Sequence, residues 1–201
     1  MTVLKEKIIR LDPQLMVQRQ HPARVFQPRS SCHLHVMQIV KHLAQAAGKI
    51  DKDSESWEPF TETHYPTLPA MGVMWEELRA SYFNPDAFCW QPGEHIKDNI
   101  AGNPDGIFPF QQTLWECKLT YKKIQPVSDI WIYMKQILSY LKLTNFETAQ
   151  LDVLWAAGDY SRPFRPIATE TTLSFTQHEI DSWWQIILNT AKEMEASNAI
   201  I

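Results

Sequence analysis

The sequence predicts an α/β domain, with strands and helices alternating around one core. Apolar runs of strand length, Leu114–Leu119 and 149–157, flank a helical stripe over 128–143, giving a strand–helix–strand order. A second helix with its own start signal closes the chain. The 201 residues, 44% hydrophobic and 21% charged, fit a single globular core.

In chain order, residues 1–30 are rich in Gln, Pro and Arg, and Pro13, Pro22 and Pro28 preclude a long helix there. They read as an extended arm that packs on the domain or on a partner, leaving residues 31–201 as the domain itself. An amphipathic helix runs from His35 to Ala47 and stops at Gly48. A polar loop over 49–68 with Pro59 and Pro66 precedes a helix over 70–82, and a strand near 86–91 follows. The stretch 93–102 leads to Asp105. After the 149–157 strand come a weakly alternating segment ending at Ser174 and a capping box, Thr176-Gln-His-Glu179, for a terminal helix through Glu195.

Chemistry concentrates between residues 103 and 118. Asn-Pro-Asp-Gly-Ile precedes Trp-Glu-Cys-Lys, so that Asp105 stands ahead of a Glu116-x-Lys118 pair. A strand has period two, which puts Glu116 and Lys118 on one face and the Cys117 side chain on the other. Asp105, between Pro104 and Gly106, sits in a turn-like stretch, and a hairpin would bring it beside Glu116. Two converging carboxylates suit a hard cation, Mg²⁺ or Mn²⁺, that keeps waters and binds phosphate. Lys118 would orient or deprotonate an attacking water, or steady the charge on phosphorus. Such spacing also arises by chance; here, however, the charges interrupt an apolar strand, where charged residues are seldom found without a role.

These residues resemble the PD-(D/E)XK nucleases, in particular the RecB-like branch with its lambda-type exonucleases and CRISPR adaptation nucleases, over roughly residues 70 to 190. Three further segments carry the resemblance. Gly72 and Glu76 match the family's opening helix, Gln136-x-x-x-Tyr140 matches the branch's helical motif after the Glu-x-Lys strand, and 149–157 with Gly158 matches the next strand and its turn. The resemblance implies a restriction-endonuclease-like core, a central mixed β-sheet flanked by helices, with the N-terminal arm and helix added. It implies a catalytic set of Glu76, Asp105, Glu116 and Lys118, with metal held by Glu76, Asp105, Glu116 and the Cys117 carbonyl. Glu77 is the acidic neighbour on a different helix face. Gln136 and Tyr140 either serve DNA or the metal's surroundings or decorate a helix whose stripe is Ile132, Tyr133, Ile137, Tyr140 and Leu141. The implied activity is metal-dependent hydrolysis of DNA, foremost by an exonuclease acting on ends in recombination or repair, of phage-compatible size. A structure-selective endonuclease and a non-catalytic end-binding or phage assembly protein are the alternatives.

A formal net charge of −4 argues against a general basic coat for nucleic acid. Lys122 and Lys123, just past the Glu-x-Lys strand, either face the phosphodiester or solvate a strand end. Lys5, Lys7, Arg10, Arg19, Arg24 and Arg29 either grip a DNA backbone or keep the arm soluble. Most of the eight tryptophans read as core. Cys32, Cys89 and Cys117 are odd in number and widely spaced, which suggests a reducing compartment. The CRISPR-type relatives hold an iron–sulfur cluster through cysteines near the C-terminus; this chain has none after position 117, so no cluster is expected. No apolar stretch reaches membrane-spanning length, so a cytoplasmic protein of a bacterial cell or phage-infected host is expected, with DNA and a homo-oligomeric or assembly partner.

Overall fold

The computed structural model describes residues 1–9, 33–49, 67–156 and 166–198. Arg10 to Arg29, Cys32, Trp57 and Gly158 lie outside them. Among the described residues the chain begins with β1 (Thr2–Ile9), then β2 (Leu34–His35), α1 (Val36–Ala46) and α2 (Thr67–Ala80). Four short strands follow, β3 (Cys89–Trp90), β4 (His95–Lys97), β5 (Ile100–Gly102) and β6 (Gly106–Phe108). The remainder is β7 (Thr113–Thr120), α3 (Trp131–Thr144), β8 (Thr148–Trp155), β9 (Ile167–Ser174) and α4 (Gln177–Asn198).

The architecture is α/β, with a central mixed sheet flanked by helices. Its strand order is β1-β9-β8-β7-β6-β3, and β2-β5-β4 form a smaller sheet. Strands β7 and β8 are parallel because α3 carries the chain back across the sheet; the other central pairs are antiparallel. Strand β1 pairs with β9 from Thr2 opposite Ser174 to Ile9 opposite Ala168. This part of the sequence-predicted arm is therefore an edge strand of the central sheet, tied further by Lys7 to Glu170 at 2.8 Å.

Local chemistry accounts for the helix boundaries. The α1 start is held by the His35 N–H donating to the Gln38 side chain at 2.9 Å, and its end by the Ala47 and Gly48 N–H groups bonding to the Leu43 and Gln45 carbonyls. Helix α2 reaches back to Thr67 because Pro69 falls in its first turn, where a missing N–H costs nothing. The capping box of α4 forms as the sequence predicts: the Thr176 hydroxyl accepts from the Glu179 N–H at 3.2 Å, and Glu179 accepts from the Thr176 N–H at 2.9 Å. Strand β3 is shorter than the expected 86–91. The 93–102 stretch is a β4–β5 hairpin whose Asp98-Asn99 turn takes positive φ at both residues, 51° and 64°.

The central strands of the sheet are covered on both faces. On one, Leu114, Leu151, Val153 and Leu173 pack against Ile39 of α1, Ile137 and Leu141 of α3, and Trp184 and Ile187 of α4. On the other, Trp115, Cys117 and Ala168 pack under Trp75 of α2 with Phe88. Each fully buried large side chain contributes about 1.5–3 kcal/mol relative to exposure. Gly106 belongs to the second layer by necessity: a Cβ there would stand 2.5 Å from Phe88 and 2.9 Å from Trp115.

The α2 face also buries an ion network. Arg79 Nε donates to Asp152 at 2.9 Å, its Nη2 reaches Glu170 at 3.1 Å, and the Trp115 indole donates to the same Asp152 oxygen at 2.9 Å. Burial raises the Asp152 carboxyl above its usual range, although Arg79 and Trp115 pull it down. The network rivets α2 to β7, β8 and β9.

Candidate functional site

The β6–β7 ladder stops at Gly106 opposite Trp115. Beyond it the Cys117 N–H has no strand partner on that side, and the Asp105 carboxylate takes its place, accepting at 2.9 Å. In an antiparallel pair a residue presents its N–H and carbonyl to the same neighbour, so the Cys117 carbonyl shares this edge with Asp105. The Asp105 carbonyl in turn accepts from the Gln91 N–H at 3.0 Å, fixing the residue from behind. The sequence-predicted hairpin thus brings Asp105 to the Glu-x-Lys strand.

Glu116 and Lys118 share the α3 face of β7, and Lys118 donates to Glu116 Oε1. The ammonium also stands 3.6 Å from Asp105 Oδ2. Gln136 Nε2 donates to Glu116 Oε1 at 2.8 Å and lies 3.2 Å from the Tyr140 hydroxyl, so both residues of the Gln-x-x-x-Tyr motif join the cluster. Gly102 leaves room for Tyr140, since a Cβ would come within 2.7 Å of its ring. Glu116 is 1% exposed, and its Oε2 meets no hydrogen-bond donor among the described residues.

Two carboxylates here share one ammonium. Burial, reinforced by Asp105, pushes the Glu116 carboxyl well above its usual range against the pull of Lys118. Burial alone would lower Lys118, yet Glu116 and Asp105 outweigh it and hold the ammonium well above its ordinary value. Burial and the Glu116 charge likewise raise the Tyr140 phenol. Excess negative charge and an undonated buried oxygen are what a hard cation would satisfy. Among the described residues no three His, Cys, Asp and Glu side chains stand together as a metal cage, so Asp105, Glu116 and the Cys117 carbonyl are the donors the geometry offers.

Glu76 occupies a separate position. It projects from α2 on the Cys117 face of the sheet, is 4% exposed, and accepts from the Trp90 indole at 3.1 Å. With Asp152 and Asp105 it adds to burial in raising the Cys117 thiol well above its normal value, so that thiol is inert core. Gly72 has open space beyond its Cα. Lys122 and Lys123 are exposed after β7, outside the cluster. Tyr133 is a member that the sequence reading leaves in the apolar stripe: it bonds to Thr120, feels the Lys118 charge, and has its phenol raised by burial. Its spacing of three and seven residues to Gln136 and Tyr140 was the available signal.

Fold and site together define an α/β protein that gathers two carboxylates, a lysine and a Gln–Tyr pair where the β6–β7 ladder ends. No family model matches the sequence, and no curated protein matches it. Among solved structures it is similar to SSO0001, at 14% identity and a TM-score of 0.46, covering 81% of this chain and 78% of that one. It is also similar to a phage-related exonuclease from Haemophilus somnus 129PT, at 13% identity and a TM-score of 0.45, covering 78% and 79%. Likeness at this level assigns neither activity nor residues. No helix among the described residues is long and apolar enough to cross a membrane.

Proposed function

We propose that this chain is a divalent-metal-dependent deoxyribonuclease of the PD-(D/E)XK, RecB-like type, and foremost an exonuclease acting on DNA ends in recombination or repair. The observation that carries the reading is the convergence of Asp105 and Glu116 around Lys118, with one buried Glu116 oxygen left undonated. Asp105, Glu116 and the Cys117 carbonyl would hold Mg²⁺ or Mn²⁺; Glu76, which the resemblance adds to this set, is held by Trp90 from α2 and would act on it from outside. When bound, the ion would offset phosphate charge and activate a water for attack. Gln136 fixes the Glu116 carboxylate through its amide, and Tyr140 fixes Gln136. Lys118 orients the water or steadies charge on the phosphorus oxygens. Water attacks phosphorus, the bond to the leaving sugar oxygen breaks, and that oxygen takes up a proton.

The test incubates the purified chain with end-labelled linear and covalently closed circular DNA, in Mg²⁺, Mn²⁺ or EDTA, beside Glu116→Gln and Lys118→Met. The expected result is metal-dependent loss of linear DNA alone, reduced at least about 100-fold by either substitution. Nicking of circles would replace the exonuclease by an endonuclease using the same residues. Absence of cleavage in either metal, or cleavage that survives both substitutions, would overturn the catalytic reading.

A further inference from the structure

The nuclease reading leaves open what holds a DNA strand against a chain of net charge −4. Directly after β7 the chain presents Tyr121, Lys122 and Lys123, all exposed. The Tyr121 hydroxyl donates to Met71 Sδ at 3.3 Å, which fixes the phenol against the N-terminal half of α2. Met74, one helical turn from Met71, is 65% exposed, and Tyr121 itself is 47% exposed. An aromatic ring and two thioethers thus form one apolar surface beside two lysines.

We infer that this surface receives an unpaired nucleobase at a DNA end, stacked on Tyr121 and Met71, while Lys122 and Lys123 pair with the adjoining phosphates. The inference rests on the nuclease reading and names its substrate as a DNA end with an unpaired strand. Tyr121 lies three residues beyond Lys118, roughly 10 Å of extended chain, but on the α2 side of the sheet, so a strand that engages both passes around the end of β7. Base stacking on an aromatic ring is indifferent to sequence, and lysines supply the attraction that the overall charge does not. An internal base pair has both faces covered and a blunt terminal pair offers only one face of a rigid pair, whereas an unpaired base turns freely onto Tyr121, so the surface favours frayed or single-stranded ends.

The experiment uses the full chain in EDTA with two probes, a duplex carrying a short overhang with 2-aminopurine at its tip and the same duplex blunt. The proteins are wild type, Tyr121→Ala, Tyr121→Phe and Lys122→Ala/Lys123→Ala. Wild type should quench the overhang probe and prefer it to the blunt one. Tyr121→Ala should lose the quenching and bind the overhang about tenfold more weakly, with Tyr121→Phe retaining both. The double lysine variant should lower the slope of log affinity against log salt by about 1.4, two phosphates' worth on a single strand. Unchanged quenching and affinity in Tyr121→Ala would overturn the inference, and so would equal binding of overhang and blunt DNA by wild type. Metal-dependent cleavage by wild type, scored separately, distinguishes either result from failure of the nuclease reading.

Discussion

At the scale of single residues, the site divides into groups that face the cluster and groups that support it from elsewhere. Glu116 meets Lys118 and Gln136 directly, whereas Glu76 is held by Trp90 on the other face of the sheet. Glu76→Gln should therefore lower metal-dependent cleavage less than Glu116→Gln, by about tenfold, when initial rates are compared at saturating Mg²⁺. Gly106 tests packing independently of chemistry. Its missing Cβ is replaced by Phe88 at 2.5 Å, so Gly106→Ala should destabilise by about 1–3 kcal/mol in urea unfolding. Asp105, Glu116 and Lys118 were legible in the sequence because strand period and a short hairpin are local rules. The position of Glu76 was not, since which side of β7 a helix residue reaches depends on how α2 docks, and Tyr133 was hidden because a phenol on an amphipathic helix reads as core.

At the scale of elements, α2 is fastened to the sheet by the buried Arg79–Asp152 pair and the half-buried Glu170. Arg79→Met would leave Asp152 uncompensated at 0% exposure and should cost about 3–5 kcal/mol, read from the denaturant midpoint. The same network sets a pH dependence. Asp152 has a folded-state carboxyl above its ordinary range, near 3.9, so its contribution is full below that range and is lost as pH rises through the raised value. Unfolding measured between about pH 4 and pH 7 should show wild type losing stability relative to Asp152→Asn as pH rises; an unchanged difference would refute this. Helices α3 and α4 were legible because their apolar stripes repeat at helical period and α4 carries its capping box. Strand β1 was not, because an edge strand exposed on both faces shows no alternation, and the three-residue strands β4 and β5 are too short to show one. The Asp98-Asn99 pair was the signal for their hairpin.

At the scale of the whole molecule, burial is centred on β7 and β8 and thins toward β1. Hydrogen exchange should accordingly be slowest at the amides of Leu114, Leu151 and Val153 and fastest at those of β1, following local burial. The pairing of β1 with β9 has a consequence for biosynthesis. Ile9 emerges roughly 160 residues before Ile167, which at ribosomal speed is on the order of 10–30 s without its partner. During that interval an extended segment bearing Val3, Leu4, Ile8 and Ile9 waits beside other nascent chains. Lys5, Glu6 and Lys7 interrupt its apolar residues with charge, and such charges act as gatekeepers against intermolecular pairing.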